Sequence, residues 1–207
     1  MRRLFLVTTL IAALASTVVL TIDASASTET SRRFDSASGL AGASSPDRLA
    51  SDVAAARLAT EQYANNLRRA TAAGYRIITR MIPNMGYHYL NPRVTGFNLR
   101  KPAALVYEHI GGKWRLGALE WVFTSRPATA PLPGARYGVF DAACHYVDGT
   151  FVVAREQAMC AATSPQTGAA FGFWHPRLIT LHLWVWYPNP SGIYTGTNPL
   201  VAPFNGG

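Results

Sequence analysis

The chain has 207 residues, 19 Lys and Arg against 11 Asp and Glu, a formal net charge of +8 and 49% apolar residues, enough for one domain with a real core. A basic balance raises nucleic acid, anionic envelope polymers and acidic glycans as partners. The arginines are scattered, though, with dense groups beyond the N-terminal Arg2-Arg3 only at Arg32-Arg33 and Arg68-Arg69 and no basic run interleaved with aromatics, which excludes a nucleic-acid reading and leaves a weak attraction to anionic envelope polymers.

Met1-Arg2-Arg3 precedes an apolar run from Leu4 to about Ile22, and Ala24-Ser25-Ala26 is small at both positions that a signal peptidase reads. Residues 1–26 are therefore expected to be a signal peptide cleaved after Ala26. The competing reading is a retained membrane anchor, since the run is nearly long enough to span a bilayer. No later segment is continuously apolar, so no transmembrane segment is expected after cleavage, and the protein is expected to be secreted or extracytoplasmic. Cleavage would remove Arg2, Arg3 and Asp23 and leave 17 basic and 10 acidic residues, a net +7. Residues 27–44, rich in Ser, Ala, Gly and Thr, bury too little to offset ordering entropy and read as a disordered linker. Residues 45–207 read as a single α+β domain.

Ser45-Pro46-Asp47 carries a cap, a proline for the first helical position and a first-turn acid. Leu49, Val53, Ala56, Thr60, Tyr63, Leu67 and Ala70 then recur at three-to-four-residue steps, and Gly74 closes the run. This predicts one amphipathic helix of about 28 residues and about 40 Å, packed on a sheet. From Tyr75 the pattern changes to short β-rich runs: 75–81, 86–90, 103–110, 114–124, 150–155 and 179–187. Gly111-Gly112 marks a tight hairpin. Residues 126–142, with Pro127, Pro131, Pro133 and Gly134, read as a long loop, and the tail from Pro188 as irregular. The expected fold class is α+β, a long N-terminal amphipathic helix followed by a mostly antiparallel sheet or partly closed β-barrel. Cys144 and Cys160, an isolated pair in a chain read as exported, are expected to form a disulfide worth about 3 kcal/mol of loop entropy.

Four polar residues stand in apolar, strand-like surroundings: His88, Glu108, Glu120 and His182. A buried imidazole or carboxylate is costly unless paired, hydrogen-bonded or metal-bound. A two-residue turn at Gly111-Gly112 sets Glu108 opposite Arg115 and Ala103 opposite Glu120, with Leu105, Tyr107, Leu116 and Ala118 on the face of Glu120. That register predicts Glu120 inside and Glu108 paired with Arg115; a bulge would break it and can turn both acids inward. In Leu181-His182-Leu183-Trp184-Val185-Trp186, alternation places His182, Trp184 and Trp186 on one face. His175 reads as a loop residue and a secondary site candidate, and His109 and His145 as surface residues.

Imidazole nitrogen with carboxylate oxygen suits zinc, copper, iron or manganese. Two His with one or two Glu would leave a position for water or substrate. No two of these residues are close in sequence, and HExxH, HxH and cupin-like patterns are absent. Also absent are GxSxG, GxGxxG and GxxxxGK[ST], which removes motif support for serine hydrolases and nucleotide binding. The pair Glu108 and Glu120 could in principle serve glycoside hydrolysis, but the sequence does not set their separation.

Met85-Gly-Tyr-His-Tyr-Leu-Asn-Pro92, Leu105-Val-Tyr-Glu108, Gly117-Ala-Leu-Glu-Trp121, Leu181-His-Leu-Trp-Val-Trp-Tyr-Pro-Asn-Pro190 and Asn198-Pro199 occur in that order. In this the chain resembles a family of uncharacterised exported bacterial proteins, over about residues 55–200. It departs from the family pattern at Gly117–Trp121 and at Thr197, where a Trp is expected. The resemblance groups the four polar residues without implying a reaction.

The leading expectation is a pocket binding a divalent transition metal (Zn, Cu, Fe or Mn) through His88, His182 and Glu120. Glu108 would be a fourth ligand or an orienting partner, and Tyr87, Tyr89, Trp184 and Trp186 would line the pocket. Such a site serves a metal-binding protein or a metal-dependent enzyme on a small substrate. The alternatives are a metal-free binder of a small apolar or aromatic ligand and an envelope-associated interaction protein.

Overall fold

The computed structural model describes residues 44–204; the expected signal peptide and the linker as far as residue 43 lie outside them. Ser44 opens helix α1 (Ser45–Thr60), its side-chain oxygen accepting the Asp47 N–H at 3.4 Å, with Pro46 in the first turn. The Thr60 hydroxyl bonds back to the Ala56 carbonyl at 2.8 Å, and a 3-10 turn (Glu61–Tyr63) and helix α2 (Leu67–Ala72) follow. The helix expected to run unbroken to Gly74 is thus divided. The Asn66 side chain accepts the Arg69 N–H at 3.0 Å and starts α2 afresh. The Ala64 carbonyl, which a continuing helix would use internally, instead accepts the Leu116 N–H at 2.8 Å.

Among the described residues nine strands follow: β1 (Arg76–Ile82), β2 (Gly86–Leu90), β3 (Ala104–Ile110), β4 (Lys113–Phe123), β5 (Gly138–Phe140), β6 (Ala143–Tyr146), β7 (Phe151–Val153), β8 (Phe171–His175) and β9 (Leu178–Trp184). They form an antiparallel six-stranded sheet, β1-β2-β3-β4-β9-β5, and an antiparallel three-stranded sheet, β7-β6-β8. The fold is α+β and mostly antiparallel; the larger sheet ends at β1 and β5 without a hydrogen-bonded closure. The loop expected over 126–142 contains β5, and β6 and β8 occur where no strand was expected. All three are short, three to five residues, and too brief to show a period.

Pairing between β3 and β4 begins as a two-residue turn dictates, with Ile110 opposite Lys113 and Glu108 opposite Arg115. Gly117 then intrudes: Tyr107 faces Leu116, but Val106 faces Ala118 and Ala104 faces Glu120. Two residues of β4 therefore oppose one step of β3, which is a bulge. From there side chains alternate cleanly. One face of the sheet presents Tyr89, Leu105, Tyr107, Leu116, Leu119, Trp121, Leu181 and Leu183, and Leu49 and Val53 of α1 pack on that core. The opposite face presents Thr79, His88, Val106, Ala118, Glu120, His182 and Trp184, as their mutual pairing requires. Glu120 thus shares its face with Ala118 as expected, but Leu105, Tyr107 and Leu116 turn the other way because of the bulge.

Cys144 on β6 and Cys160 form the expected disulfide. Among the described residues no helix is long and apolar enough to cross a membrane.

Candidate metal centre

His88 on β2, Glu120 on β4 and His182 on β9 meet on the second face. Glu120 lies directly opposite His182 in the β4–β9 ladder, and His88 opposite Val106, one strand further on. One ligand atom from each residue lies within 4.8 Å of the other two, so the three could hold a metal ion. His88 Nε2 is 3.9 Å from Glu120 Oε2. Two ligands bonded at about 2.0–2.1 Å can be separated by at most about 4.2 Å, so small rotamer changes would bring all three to one ion.

Burial sets the charge state. His88 and His182 are each 4% exposed. Desolvation lowers His182 to about 3, with a smaller contribution from His88, and lowers His88 to about 4, with a smaller contribution from His145. Both rings are therefore neutral at physiological pH, the form that ligates. Burial also raises Glu120 to about 7, against a smaller opposing pull from the Thr180 hydroxyl. A bound cation would remove the penalty that holds its proton.

Second contacts orient the donors. The Thr79 hydroxyl lies 2.8 Å from His88 Nδ1 and also accepts the His88 backbone N–H at 3.1 Å. With Nδ1–H donating to Thr79, Nε2 of His88 carries the free lone pair. The Trp184 ring stacks on His182 with centroids 5.0 Å apart, and its indole N–H donates to the Thr195 carbonyl at 2.6 Å. His182 Nε2 is buried without a hydrogen-bond partner, a costly condition for a polar atom. A metal or a ligand donor would relieve it.

A cavity of about 410 Å³ opens beside these groups, walled by Met85, Arg136, Tyr137, Phe140 and Tyr194 among others. None of these five was singled out from the sequence, because four come from segments read as loop or tail. Thr79 was missed too, as one polar residue in an apolar strand.

Other expected site residues go elsewhere. Tyr87 and Tyr89 flank His88 on the same strand and so point to the opposite face, where both pack edge-on to Trp114. They do not line the cavity. Trp186 also leaves the expected face: β9 ends at Trp184, and the N–H groups of Val185 and Trp186 both bond to the Gly117 carbonyl, so alternation stops. Trp186 packs on the main core with the Arg57 guanidinium 4.9 Å above its ring. Glu108 is fully buried but does not join the cluster. Its carboxylate sits in a niche between Gly86 and Gly117, and neither oxygen has a hydrogen-bond partner. Arg115, opposite in register, does not pair with it and reaches Asn65 Oδ1 instead. Desolvation raises Glu108 to about 8. His145 and His175 are buried as well, at 1% and 8% exposure, and are neither surface nor loop residues.

No family model, curated protein or solved structure matches the chain.

Proposed function

We propose that the protein binds one divalent transition metal ion (Zn, Cu, Fe or Mn) through His88, Glu120 and His182, with a remaining coordination position facing the cavity. The observation that carries this reading is the convergence of two imidazoles, neutral through burial, and a carboxylate from three strands within 4.8 Å. The ligand set is two neutral donors and one anion, which lowers the charge of a divalent ion to +1 and leaves it Lewis-acidic. The adjoining cavity accommodates a small molecule, so the site suits a metal-dependent enzyme on a small substrate as well as a carrier. The disulfide and the signal-like N-terminus support an extracytoplasmic setting, where such thiols stay oxidised.

Co(II) titration followed by visible absorption tests this reading. One equivalent should saturate the spectrum, and His88→Ala or His182→Ala should abolish it. Saturation unaffected by both substitutions would refute the assignment.

A second reading draws on the walls of the cavity. Ile82, Met85, Phe140 and Tyr194 give it a largely apolar lining, which favours a small apolar or aromatic ligand held by hydrogen bonds to the His and Glu groups. Quenching of Trp184 emission by such a ligand in chelator-treated protein would support it over the metal.

A further inference from the structure

A groove of about 550 Å³ runs between α2 and the β3–β4 turn, and none of its lining residues borders the cavity of the metal centre. The division of the N-terminal helix creates it. Because the Ala64 carbonyl accepts the Leu116 N–H instead of a helical donor, Asn65 and Asn66 are set beside β4, and α2 brings Arg68 into the same wall. The start of β4 supplies Lys113, Trp114 and Arg115.

These groups offer donors rather than acceptors. Asn65 Oδ1 accepts from Arg115, and Asn66 Oδ1 accepts the Arg69 N–H at 3.0 Å. With its oxygen engaged, each amide keeps its NH2 group for a ligand. Arg68, Lys113 and Arg115 add three cations, and no Asp or Glu lines the groove. None of the three has a salt bridge among the described residues. Glu108, the acid opposite Arg115 in register, sits in its own niche beside Gly86. Three like charges around one groove repel one another, and an anion bound between them removes that repulsion.

Trp114 narrows the class of anion. Its ring is half-buried and braced, with His109 4.5 Å away and Tyr87 edge-on at 4.9 Å, and it forms part of the groove wall. A rigid aromatic wall beside guanidinium forks and amides suits a ring with an apolar face and with hydroxyls and a carboxylate at its edge. A lone phosphate would leave the indole unused. A nucleic-acid strand calls for successive stacking rings along a basic track, whereas Trp114 is the one aromatic residue lining this groove.

We propose that the groove binds an acidic sugar unit, a pyranose bearing a carboxylate, within a polyuronate-type chain. Arg68, Lys113 and Arg115 take the carboxylate, the amides of Asn65 and Asn66 donate to hydroxyl oxygens, and the apolar ring face packs on Trp114. This gives the basic charge of the chain a specific place of action, independent of the metal centre.

Galacturonate oligomers, and neutral galactose oligomers of equal length, titrated into the full chain at low salt test the proposal. The acidic oligomer should bind and shift the Trp114 indole N–H resonance, and the neutral one should do neither. Arg68→Gln combined with Lys113→Gln alters two exposed residues and should weaken binding about tenfold or more. Arg100→Gln with Lys101→Gln removes the same charge at the other end of β3 and should change binding less than about twofold. Equal losses in the two pairs, equal binding of the neutral oligomer, or no binding by the unsubstituted chain would overturn the proposal. So would single-stranded DNA of the same charge that binds as tightly as the acidic sugar.

Discussion

Glu108 shows how far a single residue departs from what its neighbours in sequence suggest. It faces Arg115 in register, yet it is buried and unpaired, with its carboxylate wedged where Gly86 and Gly117 leave space. Folded Glu108 keeps its proton up to about pH 8, whereas the unfolded chain releases it near 4.5. The native state therefore binds more protons across that window, and stability falls as pH rises through it. Glu108→Gln should raise stability by a few kcal/mol at about pH 9 and lose this advantage near pH 4.5, as read from urea midpoints. An equal effect at both pH values would exclude titration of Glu108 as the cause. Gly86 is the counterpart. Its φ is +104°, and a Cβ there would meet the Tyr107 carbonyl at 2.5 Å and Glu108 Oε1 at 2.6 Å. Gly86→Ala should cost more than about 2 kcal/mol in the same assay. The Asn-Pro pairs of the motif have a structural role as well. In Asn91, Asn189 and Asn198 the side-chain oxygen accepts the N–H two residues on, past the proline that has none to give.

At the scale of elements, six of the nine strands in the described residues fall on expected runs, including the three-residue β7, whereas β5, β6 and β8 were not legible. β2 matches its expected bounds, and β1, β3 and β4 match within a residue. One bulge accounts for two of the misplacements. Gly117 shifts the register that set the face of Glu120, and its carbonyl then captures two consecutive N–H groups after β9 and turns Trp186 away. A glycine inside a strand, as at Gly117, is a local sign of a bulge, but only pairing with β3 and β9 fixes its place and effect. The expected placement of Tyr87 and Tyr89 beside His88 conflicts with the two-residue period of the strand itself. The divided helix rests on Asn66, whose cap bond starts α2. Asn66→Ala should destabilise the protein by about 1 kcal/mol, while Asn66→Asp should be nearly neutral, as checked by thermal unfolding.

For the whole molecule, the larger sheet is a partition. One face builds the main core, and the other carries polar groups that this core could not satisfy. The candidate metal centre was readable in the sequence as residue types, since His88, Glu120 and His182 stand out against apolar strands. Its walls were not, because Arg136, Tyr137 and Phe140 arrive from a proline-rich stretch that shows no periodicity. Thr79 links site and scaffold by holding His88 from β1. Thr79→Val should weaken metal affinity about 10- to 100-fold, measured by competition with a chromophoric chelator, and should also lower the unfolding midpoint because the buried His88 N–H loses its acceptor. An unchanged affinity would show that His88 needs no orienting partner.

The central claim is that His88, Glu120 and His182 hold a metal ion. Elemental mass spectrometry on the full chain, purified with its disulfide intact and without a histidine tag or chelator, tests it most directly. The account predicts about one equivalent of Zn, Cu, Fe or Mn that disappears in both His88→Ala and His182→Ala. A folded protein free of these metals, or a metal content untouched by either substitution, would contradict it.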